Sequence, residues 1–394
     1  MHARLIKRID ARLRAIESEG RWKDYRVFAS APSARMCTAD GRTLLAFASN
    51  DYLGLAGDPR VVAAAEVAAR RYGAGAASAR FVCGTSALDR ALEQVIAELC
   101  GCESALTFTS GWTANIALLA TLPEEGDLVL SDSLNHASLI DGARLAAKGV
   151  ERQVLPHGDL QACAGALEGW RGRGIAYIVS DGVFSMEGTL ARLDALVDLA
   201  RAHGAVLVVD DAHGLGVVGA TGRGVAELQG VLGQVDIATG SLGKALGGVA
   251  GGFVAGPAAL VRLIEQAARA FLFTTALTPA AAGASLEAIR ILRAEPALVA
   301  ELQGKVQRFM ALLQEAGFPP SNSQSAIVPL MLGESARARA CAAALEAAGI
   351  HASCFSYPVV SEGQARIRFQ ISRLHSEADL STCVAACRRA CRPG

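Results

Sequence analysis

Apolar and polar positions change period repeatedly along this chain, and the changes divide it into elements. Leu5, Ile9, Leu13 and Ile16 recur at helical spacing in a charged N-terminus, which predicts an amphipathic arm helix that packs on the body or on a second copy. Residues 41–55 read as a short strand ending in a polar turn at Asn50 and Asp51, and residues 59–72 as an alanine-rich helix. The Gly/Ala/Ser-rich stretch 73–85 is neither a good helix nor a good strand, so it is expected to be a loop of close backbone approach. Residues 86–99 return to a helical period, with Glu93 and Glu98 expected outward. Strands are then expected at 104–109, 127–130, 175–180, 205–209 and just before Lys244, with another at 252–255. Helices open near residues 110, 135 and 193. This alternation predicts a mostly parallel, doubly wound α/β sheet.

The pattern changes near residue 279. Two long helices, a strand at 326–332, a helix at 336–348, strands at 350–355 and 366–371 and a final helix predict a smaller α+β domain. The expected division is an arm helix and short strand over residues 1–45, a large domain over 46–285 and the small domain over 286–394. No internal repeat or low-complexity linker separates them.

Composition narrows the function classes. Of 394 residues, 52% are hydrophobic and 19% charged, the balance of a folded globular chain. With 38 basic and 38 acidic residues the formal charge is zero, so no broad field for nucleic acid or an anionic membrane is expected. Gly, Pro or a charge interrupts every long apolar run, so no membrane span is expected. Charges throughout the N-terminus also argue against a secretory signal. Ten cysteines without such a signal predict free thiols and a cytoplasmic location. Neither the Cys100/Cys102 pair nor the Cys383, Cys387, Cys391 series has the CxxC spacing or nearby histidines of a zinc site, and no metal is expected.

Candidate chemistry centres on Lys244. The chain has only five lysines, at positions 7, 23, 148, 244 and 305, and this one sits in a glycine run after a strand. An amine placed there can hold a phosphate by charge or form a Schiff base with a carbonyl. The phosphate-loop pattern fails, because Gly240 lies only three residues before Gly243 and Ala245 stands where a hydroxyl should bind magnesium. Gly214, Gly216 and Gly219 match a dinucleotide motif literally, but Asp210, Asp211 and His213 separate them from the strand, and glycines follow where a helix should run. That leaves a nicotinamide oxidoreductase as an outside alternative. A pyridoxal phosphate site needs a lysine, a carboxylate for the pyridine nitrogen, a phosphate cup and a stacking ring. Lys244, Asp210, the Gly111/Trp112 turn and His136 supply them at successive strand ends.

Residues 49–55, Asn135-His136-Ala137-Ser138, residues 182–186, residues 210–214 and Ser241-Leu242-Gly243-Lys244 together resemble the α-oxoamine synthases, a branch of the fold type I pyridoxal-phosphate enzymes, nearly end to end. The resemblance implies that Lys244 forms the internal aldimine and then acts as the base at Cα. It implies that Asp210 pairs with the pyridine nitrogen, that His136 stacks on the ring, and that His213 and Ser185 approach the phenolic oxygen. Gly111 and Trp112 are expected to hold the phosphate through backbone N–H groups, with Ser241 beside them and Thr274 and Thr275 reaching across a homodimer. Arg368 and Asn50 are the expected substrate contacts, with Arg366 expected on the opposite face of its strand. The implied reaction condenses a small amino acid with an acyl-CoA, or an acyl-carrier thioester, through a quinonoid carbanion. Residues 77–85, 355–360 and 364–368 resemble a branch using glycine and acetyl-CoA. Residues 271–277 resemble one using alanine and a pimeloyl thioester, and serine- or long-acyl-using synthases remain open.

Overall fold

A computed structural model describes residues 2–391. In chain order the strands are β1 Arg35–Cys37, β2 Thr43–Phe47, β3 Ser104–Phe108, β4 Leu128–Asp132, β5 Glu151–Leu155, β6 Ala176–Asp181, β7 Val206–Asp210, β8 Ile237–Ser241, β9 Gly252–Gly256, β10 Ile327–Gly333, β11 Ile350–Phe355 and β12 Ala365–Gln370. Seven of them form one sheet in the order β3-β9-β8-β7-β6-β4-β5, and five form a second in the order β1-β2-β11-β12-β10.

In the large sheet only β9 runs against its neighbours; the other pairings are parallel. Its central strands are buried on both faces, β6 along its whole length. Those strands therefore read as unbroken apolar runs rather than alternating ones. β5 escaped the periodicity analysis because Glu151, Arg152 and Gln153 stand exposed at the sheet edge. The helix Leu160–Gly169 that follows it was missed with it.

The small sheet is closed by the N-terminal segment, since β2 pairs in parallel with β11. His375 locks this junction. Its ring stacks on Phe47 at 4.1 Å, accepts a hydrogen bond from Ser372 N at Nδ1 and donates from Nε2 to Ala46 O.

Two expectations fail in the body of the fold. Glu93 is buried, not outward. It lies one position after buried Leu92 and three before buried Ile96, so the helical period itself puts it on the inner face. There it bonds Arg80, Thr107 N and Thr107 Oγ1. It thereby pins the 80–84 turn, a short π-helix where an open loop was expected. The second failure concerns thiols: Cys341 and Cys391 are joined in a disulfide with their Cα atoms 5.3 Å apart, whereas Cys383 and Cys387 are free and buried. Sequence spacing gave no sign of this pair, because the helix Ser335–Ala347 meets the chain's end only in the folded state. The arm helix Ala3–Ser18 buries no residue on the chain, and Leu5, Ile9 and Leu13 are about 40% exposed. Among the described residues no helix is long and apolar enough to cross a membrane.

Candidate active site

The polar turns gather at the carboxyl ends of the parallel strands, where the crossover connections of a doubly wound sheet leave a crevice. A cavity of about 250 Å³ there is lined by Ser110, Gly111, Trp112, His136, Ser138, Asp181, Asp210, His213, Ser241 and Lys244, among others. Of the residues singled out from sequence, the fold brings together Gly111, Trp112, His136, Asp210, His213, Ser241 and Lys244.

The Gly111 turn opens the helix Gly111–Leu119, capped by Ser110, whose hydroxyl accepts from Thr113 N. The first N–H groups of a helix have no intrahelical acceptor, so those of Gly111 and Trp112 are left for an anion at the positive end of the dipole. Gly252 explains part of the glycine run after Lys244. A Cβ there would lie 2.4 Å from Gly111 N and Cα, so β9 must present bare backbone beneath the turn.

His136 sits at the cap of the helix Ala137–Leu145. Its backbone N–H donates to Asp181, its Nδ1 meets Ser138 Oγ at 2.7 Å, and the Trp112 ring approaches edge-on at 6.0 Å. Desolvation, then Lys244, lower its pKa against the pull of Asp210. Asp210 ends β7 beside Asp181 on β6. Asn115 donates to Asp210 Oδ2 at 2.6 Å and to Ser138 Oγ at 2.8 Å, and accepts from Thr239 Oγ1 at 2.7 Å. Asn115, Ser138, Thr239 and Asp181 therefore hold the site's polar groups, a role the sequence alone assigns to none of them.

Lys244 is half-buried by its whole surface because it lines an open cavity. Desolvation is nonetheless the largest influence on its amine, lowering the pKa to about 8 against the opposing carboxylates of Asp210 and Asp181. Asp181 is pushed well above the usual carboxylate range, by burial first and by Asp210 second. Burial likewise takes His213 well below the ordinary histidine value.

The other expected residues lie outside this cavity. Arg366 and Arg368 share a face of β12, because residues two apart on a strand point the same way; the assignment of Arg366 to the opposite face was a miscount of the pleat. Arg366 bonds Met186 O and Glu187, while Arg368 bonds Ser185 O at 2.8 Å and lies over the Phe355 ring. Arg368 Nε is buried without a partner, a spare donor in a fixed fork. Ser185 borders a second cleft of about 900 Å³ that shares His136 with the first cavity and runs out between Ile140, Met186, Leu330, Met331 and Val359. Asn50 bonds Gln370. Thr274 and Thr275 lie at the surface; Thr275 bridges Ala79, next to exposed Phe81, Val82 and Phe273. Of the literal dinucleotide glycines, Gly214 packs against buried Asp211 and Gly219 against partly buried Glu227, and only the short helix Val225–Leu228 follows them.

Comparison with known proteins agrees with this geometry. The aminotransferase class I and II family matches residues 42–386. The 2-amino-3-ketobutyrate coenzyme A ligase of Escherichia coli K12 is 38% identical, over 99% of this chain and 98% of its own length. The 8-amino-7-oxononanoate synthase of Geobacter sulfurreducens is 41% identical, over 98% of both chains. Serine palmitoyltransferase from S. paucimobilis, solved with PLP and myriocin bound, superposes with a TM-score of 0.90 at 27% identity, covering 97% of this chain and 96% of its own. A half-buried lysine, carboxylates and imidazoles at the strand ends, and end-to-end similarity to these enzymes, lead to one assignment: the chain belongs to the aminotransferase class I and II family, within its α-oxoamine synthase branch.

Proposed function

We propose that the chain is a pyridoxal-phosphate-dependent acyltransferase joining the Cα of glycine to the acyl carbon of an acyl-CoA, acetyl-CoA in the leading reading, with release of CoA. The observation that carries this is the Lys244 amine, lowered to about 8 in a cavity it shares with Asp210 and His136. The residues fit the cofactor. Bare N–H groups at Gly111 and Trp112 suit a phosphate, the Asp210 carboxylate suits a protonated ring nitrogen, and the His136 imidazole suits a ring face. Bound there, pyridoxal phosphate supplies an aldehyde and an electron-withdrawing ring that lowers the acidity barrier at the amino acid Cα.

The chain's own residues do the rest. Lys244 Nζ, about 9% neutral at pH 7, takes the Cα proton. Asn115 holds Asp210 in place, and Ser138 orients His136. Arg368, with Nε unspent and its plane fixed over Phe355, grips the amino acid carboxylate, and Asn50 lies two bonds away through Gln370. The large cleft past His136 admits the thioester arm, its apolar wall accommodating the acyl chain. Thr274 and Thr275 are assigned to the phosphate of a second copy, the homodimer also covering the arm helix and the Phe81, Val82 and Phe273 surface.

A second reading, alanine with a pimeloyl thioester, is favoured by the 41% identity to the oxononanoate synthase. The assay is CoA release, crossing glycine, alanine and serine with acetyl-CoA and pimeloyl-CoA. Fastest release from glycine and acetyl-CoA supports the leading reading; alanine with pimeloyl-CoA selects the second. A purified protein with no yellow, borohydride-reducible chromophore that Lys244→Ala removes would sink both.

A further inference from the structure

Arg368 and His213 lie far apart in the chain, yet buried and partly buried hydrogen bonds connect them. Arg368 Nη2 donates to Gln370 Oε1 at 3.3 Å, and Gln370 Nε2 donates to Asn50 Oδ1. The Tyr52 hydroxyl lies 3.4 Å from that same Asn50 oxygen and 2.9 Å from His213 Nδ1. Tyr52 is fully buried and Gln370 1% exposed, so water does not compete for the Arg368–Gln370 and Tyr52–His213 bonds, while Asn50 is partly buried.

We propose that Tyr52 and Gln370 are positioning residues of a relay that ties Arg368 to His213, so that a carboxylate held by Arg368 sets the hydrogen bond His213 offers to the cofactor. This rests on the pyridoxal phosphate reading above.

Chemistry fixes the direction of the relay. A guanidinium only donates, so Gln370 Oε1 accepts and its amide donates onward to Asn50 Oδ1. Asn50 Oδ1 has two lone pairs; one takes the Gln370 amide and the other competes, at 3.4 Å, for the Tyr52 proton. The single Tyr52 proton goes to the nearer acceptor, His213 Nδ1. Held at Nδ1, a neutral imidazole carries its proton on Nε2, the nitrogen left for the cavity that His213 lines. A carboxylate taking up Arg368 Nη2 competes with the long bond to Gln370. The Gln370 amide then shifts its hold on Asn50 Oδ1, the oxygen that competes for the Tyr52 proton, and the Tyr52 to His213 bond changes with it. The charged or titratable groups acting on His213 are Lys244, Arg368 and His136, with Asp210 and Asp211 in the turn just before it.

The test uses the dimeric holoenzyme and follows the visible absorption band of the bound cofactor against pH, with and without saturating glycine and no thioester. Tyr52→Phe removes one hydroxyl from a packed ring, and Gln370→Met removes the amide at similar length. The wild type is expected to change its midpoint when glycine binds. Both variants are expected to shift the glycine-free midpoint by about half to one pH unit and to lose most of the glycine response, the size of one buried hydrogen bond. KM for glycine is expected to stay within roughly threefold while kcat falls roughly tenfold, because Arg368 is intact. A normal band in Tyr52→Phe with an unmoved midpoint and an intact glycine response overturns the relay alone. A wild-type protein without any visible band overturns the cofactor reading and the relay together.

Discussion

Attack of Lys244 on an aldehyde needs the neutral amine, and the structure fixes how much of it exists. A lysine at the ordinary value of 10.5 holds about 0.03% neutral amine at pH 7, whereas one at about 8 holds about 9%, roughly a 300-fold gain. Stripped of cofactor and mixed with pyridoxal phosphate, the protein is expected to develop its visible band at a rate that rises tenfold per pH unit and levels off near pH 8. Two substitutions should move that midpoint in opposite directions. Asp210→Asn removes the carboxylate that most strongly keeps the proton on Lys244, so the midpoint falls. Arg368→Leu removes a cation that drives the proton off, so it rises. A rate that climbs without a break to pH 10, or variants that shift together, would refute the argument that desolvation sets this amine.

His375 is fully buried, with its pKa lowered to about 4 by desolvation. Above 6.5 neither folded nor unfolded chain is protonated there. As pH falls from 6.5 towards 4 the unfolded chain takes up a proton the fold resists, so about 3 kcal/mol of stability should be lost across that window. Urea titrations should find this slope reduced in His375→Asn. Glu93→Gln leaves buried Arg80 without its counter-charge and should destabilise the fold by about 3–5 kcal/mol by the same titration; an effect under 1 kcal/mol would contradict the buried pairing. Gly252→Ala pushes a methyl against the Gly111 turn and should weaken pyridoxal phosphate binding at least tenfold, with little loss for pyridoxal, which lacks the phosphate; equal losses for both would place the damage elsewhere.

Local sequence determined a good deal. Lys244 in a glycine run, Asp210 at the end of an apolar strand and His136 at a helix start are signals that strand and helix periods carry unaided, because each needs only its own element to be placed. The C-terminal order of helices and strands was legible for the same reason. Register along β12 was also legible, and was misjudged: Arg366 and Arg368 had to share a face. Glu93 was readable from its helical phase once charge was not allowed to override it.

What only the tertiary structure decided depends on residues far apart in the chain. Asn115 became the holder of Asp210, 95 positions away, and Gln370 met Asn50 across 320. Cys341 found Cys391, β5 lay at an exposed edge, and Gly252 proved to clear the way for Gly111. A hydrogen bond between distant segments leaves no periodic trace in either one. The sequence therefore named the candidate groups for chemistry, while the fold chose the neighbours that orient them and shift their proton affinities.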